Sequence, residues 1–250
     1  MLGNLLLLLL SWVLLKFSRN DFKVLGLFPT RLRSRQFFSG FLLTAVLAAV
    51  YFLGFLLVLQ AKVSVNSNYS FLDFLKGSWW TIQSVLYEEL LFRGALLFLA
   101  IKYLGNLKGI FLSAIIFGIY HWFSYNIFGD PVQMIYTFIL TGIGGFVFAY
   151  AYARTRSLYL PIGLHFGWNF ITIVIFSQGP FSEDQLLIAS TENELGLLWS
   201  VVSLVYQTIL FSFLSILCIR FLSNKSRADN KIKFQPLEIS STTNQEQDIS

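Results

Sequence analysis

A chain of 250 residues that is 56% hydrophobic and only 12% charged falls well below the roughly 25% charged residues of a soluble domain, so it reads as an integral, multi-pass membrane protein. Its net charge of +5 could suit nucleic acid. The basic residues, however, cluster beside apolar spans, as in cytoplasmic loops under the positive-inside rule, and no nucleic-acid partner is expected.

Hydropathy marks about seven spans: roughly Leu2 to Leu15, Phe37 to Leu59, Ser78 to Leu104, Ile110 to Tyr125, Val132 to Ala153, Leu158 to Phe176 and Leu197 to Leu222. The fold class is therefore all-α, a polytopic helical membrane protein. The first span has no basic residues before the Leu5–Leu10 run and no small-residue cleavage site. It reads as retained rather than as a removed signal peptide. The single cysteine, Cys218, lies in an apolar run and can form no internal disulfide.

The connections alternate in charge. Lys16, Arg19, Lys23, Arg31, Arg33 and Arg35 follow the first span, Lys102 and Lys108 flank a later turn, Arg154 and Arg156 another, and Arg220, Lys225, Arg227, Lys231 and Lys233 come at the end. The other connections hold Asp130, and Glu183, Asp184, Glu192 and Glu194. Seven spans with the N-terminus outside put every basic cluster on one side. Residues 1–77 then form N-terminal membrane helices and a basic loop, 78–177 a membrane core, 178–222 an acidic loop and the last helix, and 223–250 a disordered polar tail.

The third span holds Glu88, Glu89 and Arg93 inside apolar sequence. A charge near the middle of such a helix costs about 2.5–3.5 kcal/mol on insertion scales, so these groups should face protein or a wet cavity. Glu89 and Arg93 stand four apart on one helical face and can pair. Glu88 lies about 100° around the helix and is the less committed carboxylate, suited to general-base work if partly desolvated. The plainer alternative is an ordinary packing ion pair with a spectator glutamate.

Only two histidines occur, both inside apolar spans: His121, which shares a face with Phe117, and His165, which shares one with Asn169. A lone histidine there is often an interhelical hydrogen-bonding group. Two of them, with Asn169 and the paired glutamates, point to convergence between helices. Gly142, Gly144 and Gly145 in the fifth span read as close helix packing. Pro161 is expected to break or bend the start of the sixth.

The order Glu88-Glu89…Arg93, Phe117…His121, His165…Asn169 on three membrane helices resembles the CAAX prenyl endopeptidase and bacteriocin-processing family of intramembrane proteases (CPBP, or Abi). The resemblance covers about residues 78–176. It implies hydrolysis of a peptide bond in a membrane-associated or lipidated peptide or protein. It further implies that Glu88 and His121 activate water, that His165 and Asn169 support the oxyanion or the water, and that Glu89, Arg93 and Phe117 orient them. The family's name as metalloproteases raises a divalent metal such as zinc. Glu88, His121 and His165 can supply three ligands with one open position or hold water without metal, and both stay open here.

Rival chemistries fit worse. Asp130 in Phe128-Gly129-Asp130 lacks a second intramembrane aspartate, and neither histidine is accompanied by a nucleophilic serine motif. A transporter should show inverted repeats or broken helices, and no paired repeat is evident. A catalytically silent scaffold or bacteriocin-immunity-type factor is the main alternative. Membrane lipids are the expected surroundings.

Overall fold

The structure is a computed structural model. It describes residues 1–176, 186–191, 193 and 196–233, with 224–233 described by their backbone. Helices α1 (Leu2–Phe17), α2 (Arg31–Val58), α3 (Phe71–Arg93), α4 (Ala95–Leu104), α5 (Asn106–Ser124), α6 (Pro131–Thr155), α7 (Tyr159–Asn169), α8 (Leu197–Val205) and α9 (Phe211–Lys233) make up most of it. Residues Phe170–Ile175 continue α7 as a π-helical turn, and Tyr206–Leu210 join α8 to α9 in the same way. The fold is all-α and of membrane type.

Local chemistry sets several helix starts. Thr30 accepts from the Arg33 amide to open α2, and Asp130 accepts from the Val132 and Gln133 amides ahead of Pro131 to open α6. Ser70 and Asp73 form a reciprocal capping box at α3. Such caps contribute about 1 kcal/mol each. The bonds from Ser70 also hold the Asp73 carboxyl below its usual range.

Two buried clusters share α6 and α7. One gathers Leu7, Leu15, Val85, Leu97, Ile110 and Tyr152; the other gathers Leu47, Phe148, Leu160, Leu164, Phe211 and Ile219. The outward faces stay apolar, as with Phe38, Leu42, Val46 and Leu53 along α2. This suits lipid, whose tails are as apolar as leucine. Helix α2 lies against α7 because Gly163 and Gly167 leave room for its backbone. A Cβ on Gly163 would stand 2.2 Å from the Phe37 carbonyl oxygen, and one on Gly167 2.2 Å from that of Phe41.

The structure departs from expectation in several places. The expected helix over residues 78–104 is two helices, because α3 ends at Arg93 and α4 restarts at Ala95. Gly94 sits between them at φ −71° and ψ −137°. A Cβ there would lie 2.2 Å from the Leu90 carbonyl oxygen, so only glycine fits. Pro161 does not break its helix. It lies in the first turn of α7, where its missing N–H has no intrahelical partner to lose. A small antiparallel sheet pairs β1 (Lys62–Val65) with β2 (Leu187–Ser190), Lys62 opposite Ser190 and Val65 opposite Leu187. Its short, exposed strands carry no strong periodicity.

Among the described residues, four helices are long and apolar enough to cross a membrane: Arg31–Val58, Asn106–Ser124, Pro131–Thr155 and Leu197–Ser223. Helix α1 and Tyr159–Ile175 are shorter apolar helices, and the stretch from Phe71 to Leu104 is interrupted and charged. Helix α9 runs past Leu222 to Lys233, so the first part of the expected disordered tail is helical. Residues 234–250, together with Glu183, Asp184, Glu192 and Glu194, lie outside the described residues.

Lys102, Arg154 and Arg156 lie at one end of the bundle, while Lys62 of β1 lies at the other. Lys102 donates to Asn20 Oδ1 at 3.2 Å, Arg156 to Asn106 Oδ1 at 3.3 Å, and Arg154 to Ser223 Oγ at 3.2 Å. The sheet lies beyond the other ends of α2 and α8, where Thr191 donates to the Leu59 carbonyl at 2.8 Å.

Candidate active site

Helix α3 supplies Glu88, Glu89 and Arg93, α5 supplies Phe117 and His121, and α7 supplies His165 and Asn169. The Glu89–Arg93 pair anticipated from spacing is present and fully buried, with Arg93 Nη1 donating to Glu89 Oε1 at 3.2 Å. Removing one partner of such a pair costs about 3–5 kcal/mol. The guanidinium also donates from Nη2 to the Gly145 carbonyl at 3.1 Å. It stacks over the Phe117 ring, with Cζ 4.1 Å from the centroid, and lies 5.3 Å from that of Phe148. These rings offset part of the cost of desolvating the charge.

Glu89 does more than pair with arginine. The same Oε1 accepts from His165 Nδ1 at 2.8 Å. On α5, His121 Nδ1 lies 2.8 Å from the Phe117 carbonyl oxygen. A carbonyl oxygen only accepts, so that nitrogen carries the proton, and the neutral ring presents a lone pair at Nε2. The bond to Glu89 sets the same tautomer for His165. Phe148 stacks on the His165 ring at 4.7 Å and 17°, and Phe117 meets His121 edge-on at 4.6 Å. Both imidazoles are thus fixed in direction and tautomer.

Both free Nε2 atoms face Glu88. Its Oε2 lies 3.7 Å from His165 Nε2 and 4.0 Å from His121 Nε2. That oxygen is buried and has no hydrogen-bond partner. With Glu88 ionised, three acceptors surround one gap. Leaving a buried acceptor unsatisfied costs about 1–3 kcal/mol, and a water molecule with two hydrogens relieves the mismatch. The carboxylate that spacing left uncommitted is the one without a partner here.

The same atoms can be tested as metal ligands. Neighbouring ligands of a tetrahedral ion with bonds of 2.0–2.1 Å stand about 3.3 Å apart. The separations at Glu88 are wider. Among the described residues no three His, Cys, Asp or Glu side chains are grouped to hold a metal ion. As arranged, these side chains are spaced too widely for a tetrahedral ion.

A cavity of about 890 Å³ opens beside Glu88, His121 and His165, and Asn169 lines its wall. Asn169 follows His165 by one turn, and no hydrogen bond ties it to the other three, so its amide is free to meet a guest. Tyr125, Tyr136, Trp168 and Gln207 give the cavity a mixed aromatic and polar lining.

Sequence reasoning missed Phe148, the Gly145 carbonyl and Gln207. Of Gly142, Gly144 and Gly145, only Gly145 marks a close approach on α6, the other two having ordinary contacts. A Cβ on Gly145 would meet the Phe117 ring at 2.8 Å. Nothing local to α6 distinguishes Phe148 from its apolar neighbours.

Compared with known proteins, residues 70–171 match the family described as type II CAAX prenyl endopeptidase Rce1-like. The match includes every motif residue of α3, α5 and α7. No curated protein matches the chain, and no solved structure does.

Proposed function

We propose, from the match of residues 70–171 to the type II CAAX prenyl endopeptidase Rce1-like family, that this chain is an intramembrane protease of the CPBP family that hydrolyses a peptide bond in a membrane-associated or lipidated peptide, using water held by Glu88, His121 and His165. The observation that carries this reading is the orphaned Glu88 Oε2 facing two acceptor nitrogens at 3.7 and 4.0 Å.

Water in that gap donates one hydrogen to Glu88 and the other to a histidine Nε2. As the water oxygen attacks the scissile carbonyl carbon, Glu88 takes its proton as general base. The carbonyl electron pair moves onto oxygen, and the Asn169 amide donates to the oxyanion. Glu88 then passes its proton to the departing amine as the C–N bond breaks. Glu89 and Arg93 act through His165, holding its ring and tautomer. The burial of the site between α3, α5 and α7 limits bulk water and strengthens these contacts.

The test is cleavage of a liposome-tethered lipidated peptide by the purified chain. The parent should cut it, and Glu88→Gln should bind the same peptide without cutting. A scaffold that acts by binding alone would cut with neither.

A further inference from the structure

A second pocket, of about 480 Å³, lies at the basic end of the bundle, away from the site just described. Val24, Phe98 and Ile101 form its apolar wall, while Lys102, Asn106 and Arg156 line it with polar groups. It sits where four chain segments meet: the α1–α2 connection, the end of α4, the start of α5 and the C-cap of α6. All are helix ends, the level at which a membrane protein meets lipid headgroups.

Among the described residues, neither cation is neutralised by a carboxylate. Lys102 Nζ rests on Asn20 Oδ1 at 3.2 Å and the Ser18 carbonyl at 3.4 Å. Arg156 Nη2 rests on Asn106 Oδ1 at 3.3 Å. These acceptors are uncharged, and among the described residues no carboxylate pairs with either cation; Asp21 pairs with Lys23 instead. Because Asn106 uses its oxygen on Arg156, its amide N–H groups remain as donors. The backbone reinforces this placement. Arg156 adopts a left-handed conformation, φ 52°, over Gly26, where a Cβ would stand 2.5 Å from the Arg156 carbonyl oxygen. The turn is thereby packed against the α1–α2 connection with its cation at the pocket.

We propose that this pocket binds the phosphate headgroup of an anionic glycerophospholipid, with the acyl chain lying against Val24, Phe98 and Ile101. Two cations that no described carboxylate pairs, with an amide donor, match a phosphodiester, and the apolar wall matches a chain. Basic pockets between membrane helices are a recurring solution for such headgroups. An inorganic anion would leave the apolar wall unused.

The experiment uses the full chain in a neutral detergent, with lipid adducts counted by native mass spectrometry. Dioleoyl phosphatidylglycerol should saturate one site, and dioleoyl phosphatidylcholine should bind much more weakly. Lys102→Gln and Arg156→Gln should each raise the half-saturating concentration about fivefold, the worth of one basic residue at an anionic membrane surface. Lys102→Arg should keep binding, which separates lost charge from lost fold. Arg31→Gln removes a basic residue at the start of α2 outside the pocket and should change binding less than about twofold if the pocket carries the attraction. Unchanged binding in both Gln variants, or an equal loss in Arg31→Gln, would overturn the assignment. So would displacement of the lipid by inorganic phosphate at matching concentration, which would make the site one for free phosphate.

Discussion

His165 donates from Nδ1 to Glu89 Oε1 at 2.8 Å, so the buried ion pair of α3 extends onto α7 and fixes the direction in which His165 presents its other nitrogen. Glu89→Gln keeps the size of the side chain but removes the charge that favours one His165 tautomer. Cleavage should fall about 100-fold, the scale of a misplaced reacting group, with peptide affinity little changed. A matching loss of affinity and rate would show that Glu89 shapes the binding cavity instead.

Arg93→Ala leaves the Glu89 carboxylate buried without its cation and removes the donor to Gly145. Stability should fall by about 3–5 kcal/mol, read as early unfolding in detergent. Stability equal to the parent would contradict the burial of the pair.

The α2–α7 contact predicts a contrast between glycines. Gly167→Val would drive its side chain into the Phe41 carbonyl and the Thr44 hydroxyl, which lie 2.2 and 2.4 Å from the Cβ position. Overpacking of this kind costs about 1–3 kcal/mol, and a displaced α7 moves His165, so activity should fall as well. Gly54→Ala, with nothing within 4 Å of its Cβ position, should be neutral or gain about 0.5–1 kcal/mol from helix propensity. Thermal unfolding of both variants checks the pair of outcomes.

Much of the site was legible in the sequence because charge inside an apolar helix is rare and costly. Glu88, Glu89, Arg93, His121 and His165 stand out against Leu and Phe neighbours for that reason alone, and i, i+4 spacing separated the paired glutamate from the free one. The bond from Glu89 to His165 joins residues 76 apart, and no local period encodes it. Likewise, the seven expected apolar segments are all helical, yet the break at Gly94 depends on tertiary contacts. There a Cβ would also lie 3.1 Å from Ser11 Oγ of α1. The π-helical turns beside the cavity have no composition of their own. Gly163 and Gly167 stand one turn apart, a small-residue spacing, yet nothing in the sequence designates α2 as the helix they admit.

The clustering of Lys102, Arg154 and Arg156 opposite the sheet end of the bundle predicts sidedness. In a Cys218→Ser background, a cysteine at Lys23 should label from the cytoplasmic side and one at Asn66 from the other. Labelling of both from one side would contradict this orientation.

The most direct measurement is a double-mutant cycle on peptide cleavage, with Glu88→Gln, His121→Ala and the combined variant assayed free of contaminating proteases. If the two residues hold one water, each single change should abolish most turnover, and the double variant should be little worse than either, since groups acting as a unit are strongly non-additive. Substantial cleavage by Glu88→Gln, or losses that multiply in the double variant, would contradict a shared water at Glu88.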